Sequence, residues 1–135
     1  MRNPPGSSHS PFSRKGCIIL VKLRQMHLAD ENTLRINYLE ADWASVGNFD
    51  YLDLYNFGSE RVSMLRTKDV DITWSMEDCD GLEFYVISGQ VQEDDRVYEA
   101  GTWIRRGPEK FRDFVLAKGS LVWFKTGHLP KVIVV

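Results

Sequence analysis

From Val70 to Met76 the chain alternates apolar and polar residues without a break: Val70, Asp71, Ile72, Thr73, Trp74, Ser75, Met76. A period of two places successive side chains on opposite faces of an extended backbone, so the segment reads as a half-buried strand. Turn chemistry follows from Glu77 to Gly81, then a run from Leu82 to Ser88 rich in Phe, Tyr, Val and Ile, and the two runs together read as a hairpin. Similar short runs recur at Cys17 to Leu23, Leu34 to Leu39, Tyr51 to Phe57, Arg61 to Leu65, Arg96 to Tyr98, Thr102 to Arg105, Phe114 to Leu116 and Leu121 to Lys125. Gly, Asp, Asn or Pro punctuates each, and no stretch sustains a helical period. The one candidate helical turn lies around Ala41 to Val46. Many short strands with regular turns predict an all-β sandwich or barrel.

Composition narrows the reading without changing it. A chain of 135 residues buries one core comfortably and rarely two, and 43% hydrophobic with 27% charged residues is the normal globular range. A formal net charge of −2, with Lys and Arg scattered, provides no basic field for phosphates, so nucleic acid is excluded as a partner. The apolar runs Cys17 to Val21 and Val132 to Val135 are far too short to cross a bilayer, and the Pro/Ser-rich start is no signal peptide. A soluble, cytoplasmic protein is expected. The two cysteines read as free thiols, Cys17 in the core and Cys79 in an acidic turn whose carboxylates disfavour a thiolate.

The chain also resembles itself. Laid over one another at an offset of 103 residues, Arg2 falls on Arg105, Pro5 on Pro108, Lys15 on Lys118, Gly16 on Gly119 and Lys22 on Lys125. The apolar residues Cys17 to Val21 match Ser120 to Phe124 between the same Gly and Lys punctuation. Residues 1–28 therefore read as the last third of a first repeat, packed onto the main barrel or a partner chain, and residues 29–135 as a second copy.

The stretch Arg2-Asn3-Pro4-Pro5-Gly6-Ser7-Ser8-His9-Ser10-Pro11-Phe12-Ser13, followed by Gly16-Cys17 and Val21-Lys22-Leu23, closely resembles the second conserved motif of ChrR-like cupin domains. The block Gly81-x-Glu83-Phe84-Tyr85-Val86-Ile87-Ser88-Gly89, then Tyr98 to Arg105 and Lys125 to Leu129, looks like a more divergent copy. The resemblance implies a jelly-roll, RmlC-like cupin barrel in which a His-x-His pair, a Glu and a later His hold a divalent metal. Imidazoles and a carboxylate on adjacent strands then converge inside the barrel and leave an open coordination position.

In this sequence those four positions fall on Met76, Asp78, Leu82 and Arg112, with Glu83 one residue past the Glu position and on the opposite face. His9 alone keeps the setting of a family ligand, and a lone imidazole does not make a stable metal site. His27 reads as solvated and His128 as packing the last strand. Glu93, Asp94 and Asp95 read as a solvated turn. Arg112 reads as solvated in a loop from Gly107 to Asp113, as a structural ion pair with Glu83 or Asp78, or, if aimed into the barrel, as an anion anchor, with Glu83, Arg105, Trp74 and Trp103 as further pocket candidates. The sequence thus predicts a cupin with a degenerate metal site: a non-catalytic small-molecule-binding, regulatory or structural module, more a binder than an enzyme. No cofactor is expected, the ligand is a small carboxylate or other small molecule, and the chain forms a homodimer. The alternative is a metal-dependent cupin enzyme of dioxygenase or isomerase type, holding Zn, Fe or Mn through His9.

Overall fold

Every regular element among the described residues is a strand. The computed structural model describes residues 1–23, 26–79 and 81–129, with the side chains of 77–79 and 109–111 outside that description. The strands are β1 (Ala44–Val46), β2 (Phe49–Phe57), β3 (Glu60–Thr67), β4 (Ile72–Cys79), β5 (Leu82–Ser88), β6 (Gln90–Glu93), β7 (Arg96–Glu99), β8 (Trp103–Arg106), β9 (Glu109–Leu116) and β10 (Leu121–Thr126). Contacts divide the chain into two units, Met1–Asn37 and Tyr38–Val135.

In the first unit Arg2 and Leu34 exchange backbone hydrogen bonds of 2.7 and 3.0 Å, and the Arg2 guanidinium meets the buried Asp30 carboxylate at 2.5 Å. The strand expected from Cys17 to Leu23 does not form: Ile18 is 93% exposed and Leu23 77%. Cys17 is exposed and free rather than a core thiol. Apolar composition alone does not make a strand, because an isolated extended segment gains neither ladder bonds nor a face to bury. Leu34 to Leu39 likewise contributes only the bridge at Leu34. Gly16 and Gly119, which the repeat aligns, both adopt left-handed backbone (φ 81° and 73°).

In the second unit all pairings are antiparallel, in a six-stranded sheet of order β1-β2-β3-β10-β5-β8 and a four-stranded sheet of order β4-β9-β6-β7. The expected hairpin of β4 with β5 is incorrect, since β4 pairs with β9 while β5 lies between β10 and β8. Both strands carry an apolar face; the chain turns the corner between sheets at Gly81 (φ 102°), so those faces meet across the core instead of side by side. Ala41 to Val46 holds no helix; its end is β1, joined to β2 at Gly47.

The core lies between the sheets. Leu82, Phe84 and Val86 of β5 and Val122 and Phe124 of β10 face Phe114 and Leu116 of β9 and Val91 of β6, with Trp74 and Met76 of β4 packed against them. The Phe84 and Phe114 rings meet edge to face at 5.3 Å, and Trp74 stacks on Phe124 at 4.7 Å. A two-strand tie closes one end: the buried Ser120 hydroxyl accepts from the Gln90 amide and donates to the Gln90 carbonyl, both at 3.0 Å. Gly89 beside it (φ 79°) has no room for a Cβ, which would overlap Ser120.

Candidate functional site: an ion-pair network inside the barrel

Register alone decides which side chains enter the interior. On β9, Phe114 and Leu116 are core residues, so Arg112, two positions earlier, shares their face and lies opposite Met76 of β4. On β8, Arg106 pairs with Leu82 and Ile104 with Phe84, which directs both inward. On β6 the alternation Val91, Glu93 carries the carboxylate inward too, leaving its side chain 3% exposed. Tyr98 of β7 follows, packed edge to face on Phe84 at 6.0 Å.

These four side chains converge. Arg106 grips Glu93 through one edge of its guanidinium, Nε to Oε1 at 3.0 Å and Nη2 to Oε2 at 2.5 Å. The Tyr98 hydroxyl donates to Glu93 Oε2 at 2.7 Å and accepts from Arg106 Nη2 at 2.8 Å, while Arg112 Nη1 donates to Glu93 Oε1. Burial alone would raise the Glu93 pKa, but hydrogen bonds from Arg106, Tyr98 and Arg112 overcome it and pull the carboxyl down to about 2. The same contact with Glu93 holds Arg106 above its ordinary value. Glu93 is therefore a buried anchor, ionised at neutral pH, and not the solvated turn acid expected. Only Asp94 and Asp95 form the exposed turn of the β6–β7 hairpin, with Asp94 at φ 50°.

The network joins strands of both sheets: Arg106 comes from the six-stranded sheet, Glu93, Tyr98 and Arg112 from the four-stranded one. It occupies the region where the resemblance places a metal centre, since Met76, Leu82 and Arg112 stand at three of the four ligand positions. A thioether, an alkyl chain and a guanidinium of fixed positive charge do not fit a divalent cation. Asp78, the fourth position, lies among the side chains outside the description. Among the described residues no three His, Cys, Asp or Glu are grouped as metal ligands.

The other sequence candidates lie elsewhere. Trp74 faces the core beside Phe114 and Phe124. Glu83 and Arg105 are paired in register, as are Tyr85 and Trp103, and all four lie on the outer face of the six-stranded sheet, opposite Leu82 and Phe84. Trp103 is 45% exposed. Glu83 is fully buried on that face, with Arg105 Nε at 3.6 Å and His128 Nε2 at 3.3 Å. His9 belongs to the first unit, where Nδ1 lies 3.2 Å from the Asn3 amide nitrogen and the ring borders an open depression of about 610 Å³ with Met1, Phe12 and Arg35. Sequence reasoning singled out Arg112, took Arg105 in place of its neighbour Arg106, and missed Glu93 and Tyr98. The parity of Arg106 with Ile104, and of Glu93 with Val91, was the signal that could have found them.

No protein-family model and no curated protein matches the chain. Solved structures do. An RmlC-like cupin from Shewanella frigidimarina is similar at 14% identity and TM-score 0.58, over 73% of this chain and 94% of that one. KdgF from Halomonas gives 14% and 0.57, over 71% and 94%. The complex of Rhodobacter sphaeroides SigE with the anti-sigma ChrR gives 14% and 0.56, over 67% of this chain and 50% of that chain, so the sequence spans half of its length. No helix among the described residues is long and apolar enough to cross a membrane. Two antiparallel sheets closed around one core, with these structural relatives, make the fold a cupin-type jelly roll.

Proposed function

We propose that the chain is a non-catalytic, metal-independent cupin module of distant ChrR-like kinship, which binds a small carboxylate at the rim of its ion-pair network. The observation that carries this reading is the convergence of Arg106 and Arg112 on Glu93 in the place of a metal centre. Arg106 ties one sheet to the other through Glu93 and Arg112 adds a second guanidinium from Glu93's own sheet, so that fixed positive charge stands where a cation would, with no grouped metal ligands among the described residues. The two arginine side chains remain 22% and 23% exposed, so solvent and a small anion reach the planar forks that suit a carboxylate.

Acetate, succinate and citrate serve as probes. Succinate or citrate is expected to raise the melting temperature of the native chain and to lose that effect in Arg112→Met, whereas a chelator leaves the native midpoint unchanged. Stoichiometric zinc, iron or manganese in protein purified without chelator, abolished by His9→Ala, would overturn the proposal in favour of a metalloenzyme.

The working form is proposed to be a homodimer. Ile18, Ile19, Leu20, Val21 and Leu23 are all exposed in a segment that aligns with β10, the strand held between β3 and β5. A central-strand sequence without a ladder is a template for pairing with a second copy. Light scattering at tens of micromolar is expected to give twice the chain mass, falling to a monomer in Ile19→Lys; a native monomer there would count against the dimer.

A further inference from the structure

Among the described residues of the second unit, the deepest carboxylate outside the interior network is Glu83, on the outer face of the six-stranded sheet. A buried carboxylate is costly unless a cation lies close, and Arg105, Lys125 and His128 stand around this one. On β8 the register partner Arg105 sits at 3.6 Å through Nε, but its side chain is 49% exposed. On β10 the other register partner, Lys125, turns to Glu60 of β3 at 2.9 Å; its side chain is 5% exposed and that of Glu60 13%. His128, just past β10, places Nε2 at 3.3 Å with 9% of its side chain exposed. Tyr85 and Trp103 complete the face without charge.

The segment bearing His128 is seated by close backbone contacts. The Ser59 hydroxyl donates to the Gly127 carbonyl at 2.7 Å, and Gly127 (φ 69°) passes so near the Ser59 carbonyl that a Cβ there would overlap it. Leu129 covers Gly81 at the start of β5, where a Cβ would lie 2.5 Å from the Leu129 Cδ1. Gly127, His128 and Leu129 thus lie across the ends of β3 and β5, with the imidazole delivered to the one fully buried acid of that face.

We propose that Glu83, His128 and Arg105 form a pH-sensitive latch that seats the chain leaving β10 against β5 while His128 is protonated. A histidine changes charge between about pH 5 and 8. In acid, imidazolium and carboxylate neutralise each other out of solvent. As pH rises the imidazole loses its proton, and Glu83 loses the nearer of the cations at 3.3 and 3.6 Å, the other being the water-screened Arg105, so the latch weakens. The sign follows: a basic group that gains an acidic partner on folding adds stability at low pH, lost as pH rises through the folded-state titration.

Urea unfolding between pH 5.5 and 8.5 tests it. The folded-to-unfolded ratio of the native chain is expected to fall about tenfold across that range, the equivalent of one unit of altered titration, and to stay flat in His128→Gln. A native profile that is flat or rises with pH, or the same slope in His128→Gln, overturns the latch. If His128→Gln fails to fold, proton NMR of the native chain's three histidines gives a second reading. Glu83→Gln is expected to move the His128 titration midpoint downward and leave those of His9 and His27 in place; an unmoved His128 midpoint overturns the proposal.

Discussion

Replacing Glu93 by Gln is expected to be among the most damaging single changes on the barrel's polar side, costing about 3 kcal/mol, with the loss read as a lowered urea midpoint at pH 7. Glu93 bridges Arg106 and Arg112, and its carboxylate receives four hydrogen bonds from Arg106, Tyr98 and Arg112. Removing one charge from a buried pair costs roughly 3–5 kcal/mol, because the partner charges stay behind without compensation. The lower end applies here, since both arginine side chains keep about a fifth of their surface in water. Removing the whole network behaves differently. In Glu93→Met with Arg106→Met and Arg112→Leu, no uncompensated charge remains, so much of the single-variant loss should be regained. A triple variant no more stable than Glu93→Gln would show that these positions serve through packing and not charge.

The same residue sets the behaviour in acid. Its carboxyl titrates near 2 in the folded chain against an ordinary 4.5, so the folded state holds its proton less readily than the unfolded one. The depressed value makes Glu93 stabilising at all pH above about 4.5, by about 3 kcal/mol. That contribution drains away as pH falls from 4.5 towards 2. The window lies well below the one in which His128 acts, so the two effects separate in a single pH series.

How far the sequence led is clearest in particular strands. Leu82 to Ser88 was legible to the residue, because its apolar and aromatic density and flanking glycines belong to one strand and nothing else. The hairpin with β4 was not, since alternation fixes which residues share a face but carries no information on which sheet a strand joins. Glu83 on the face opposite Leu82 followed from parity alone and stands. Arg112 was open between a loop, an ion pair and the interior; the strand Glu109–Leu116, with Arg112 opposite Met76, replaces the loop. Glu93 was lost because three consecutive acids read as solvent-exposed; only the two-residue β6–β7 turn, which begins one position later, shows that the first belongs to a strand. Cys17 to Leu23 failed for the opposite reason, being apolar enough for a strand but without a ladder to join.

Phe114→Ala is expected to be the costliest core substitution, roughly 3–5 kcal/mol by the loss of a buried ring and the cavity it leaves. Phe114 is 0% exposed and packs on Phe84 of the opposite sheet at 5.3 Å and on Trp74 of the neighbouring strand at 6.1 Å, so three strands lose a contact together. Neither neighbour can close the gap cheaply: Phe84 is held edge to face by Tyr98 and Trp74 by Phe124. Because Tyr98 also donates to Glu93, the cavity reaches the ion-pair network through one ring. Loss of Phe114 and loss of Glu93 should therefore couple instead of adding. A double-mutant cycle with Phe114→Ala and Glu93→Gln, read by urea unfolding, is expected to give an interaction energy of about 0.5–3 kcal/mol. Strict additivity would mean that the aromatic core and the polar network hold the two sheets independently.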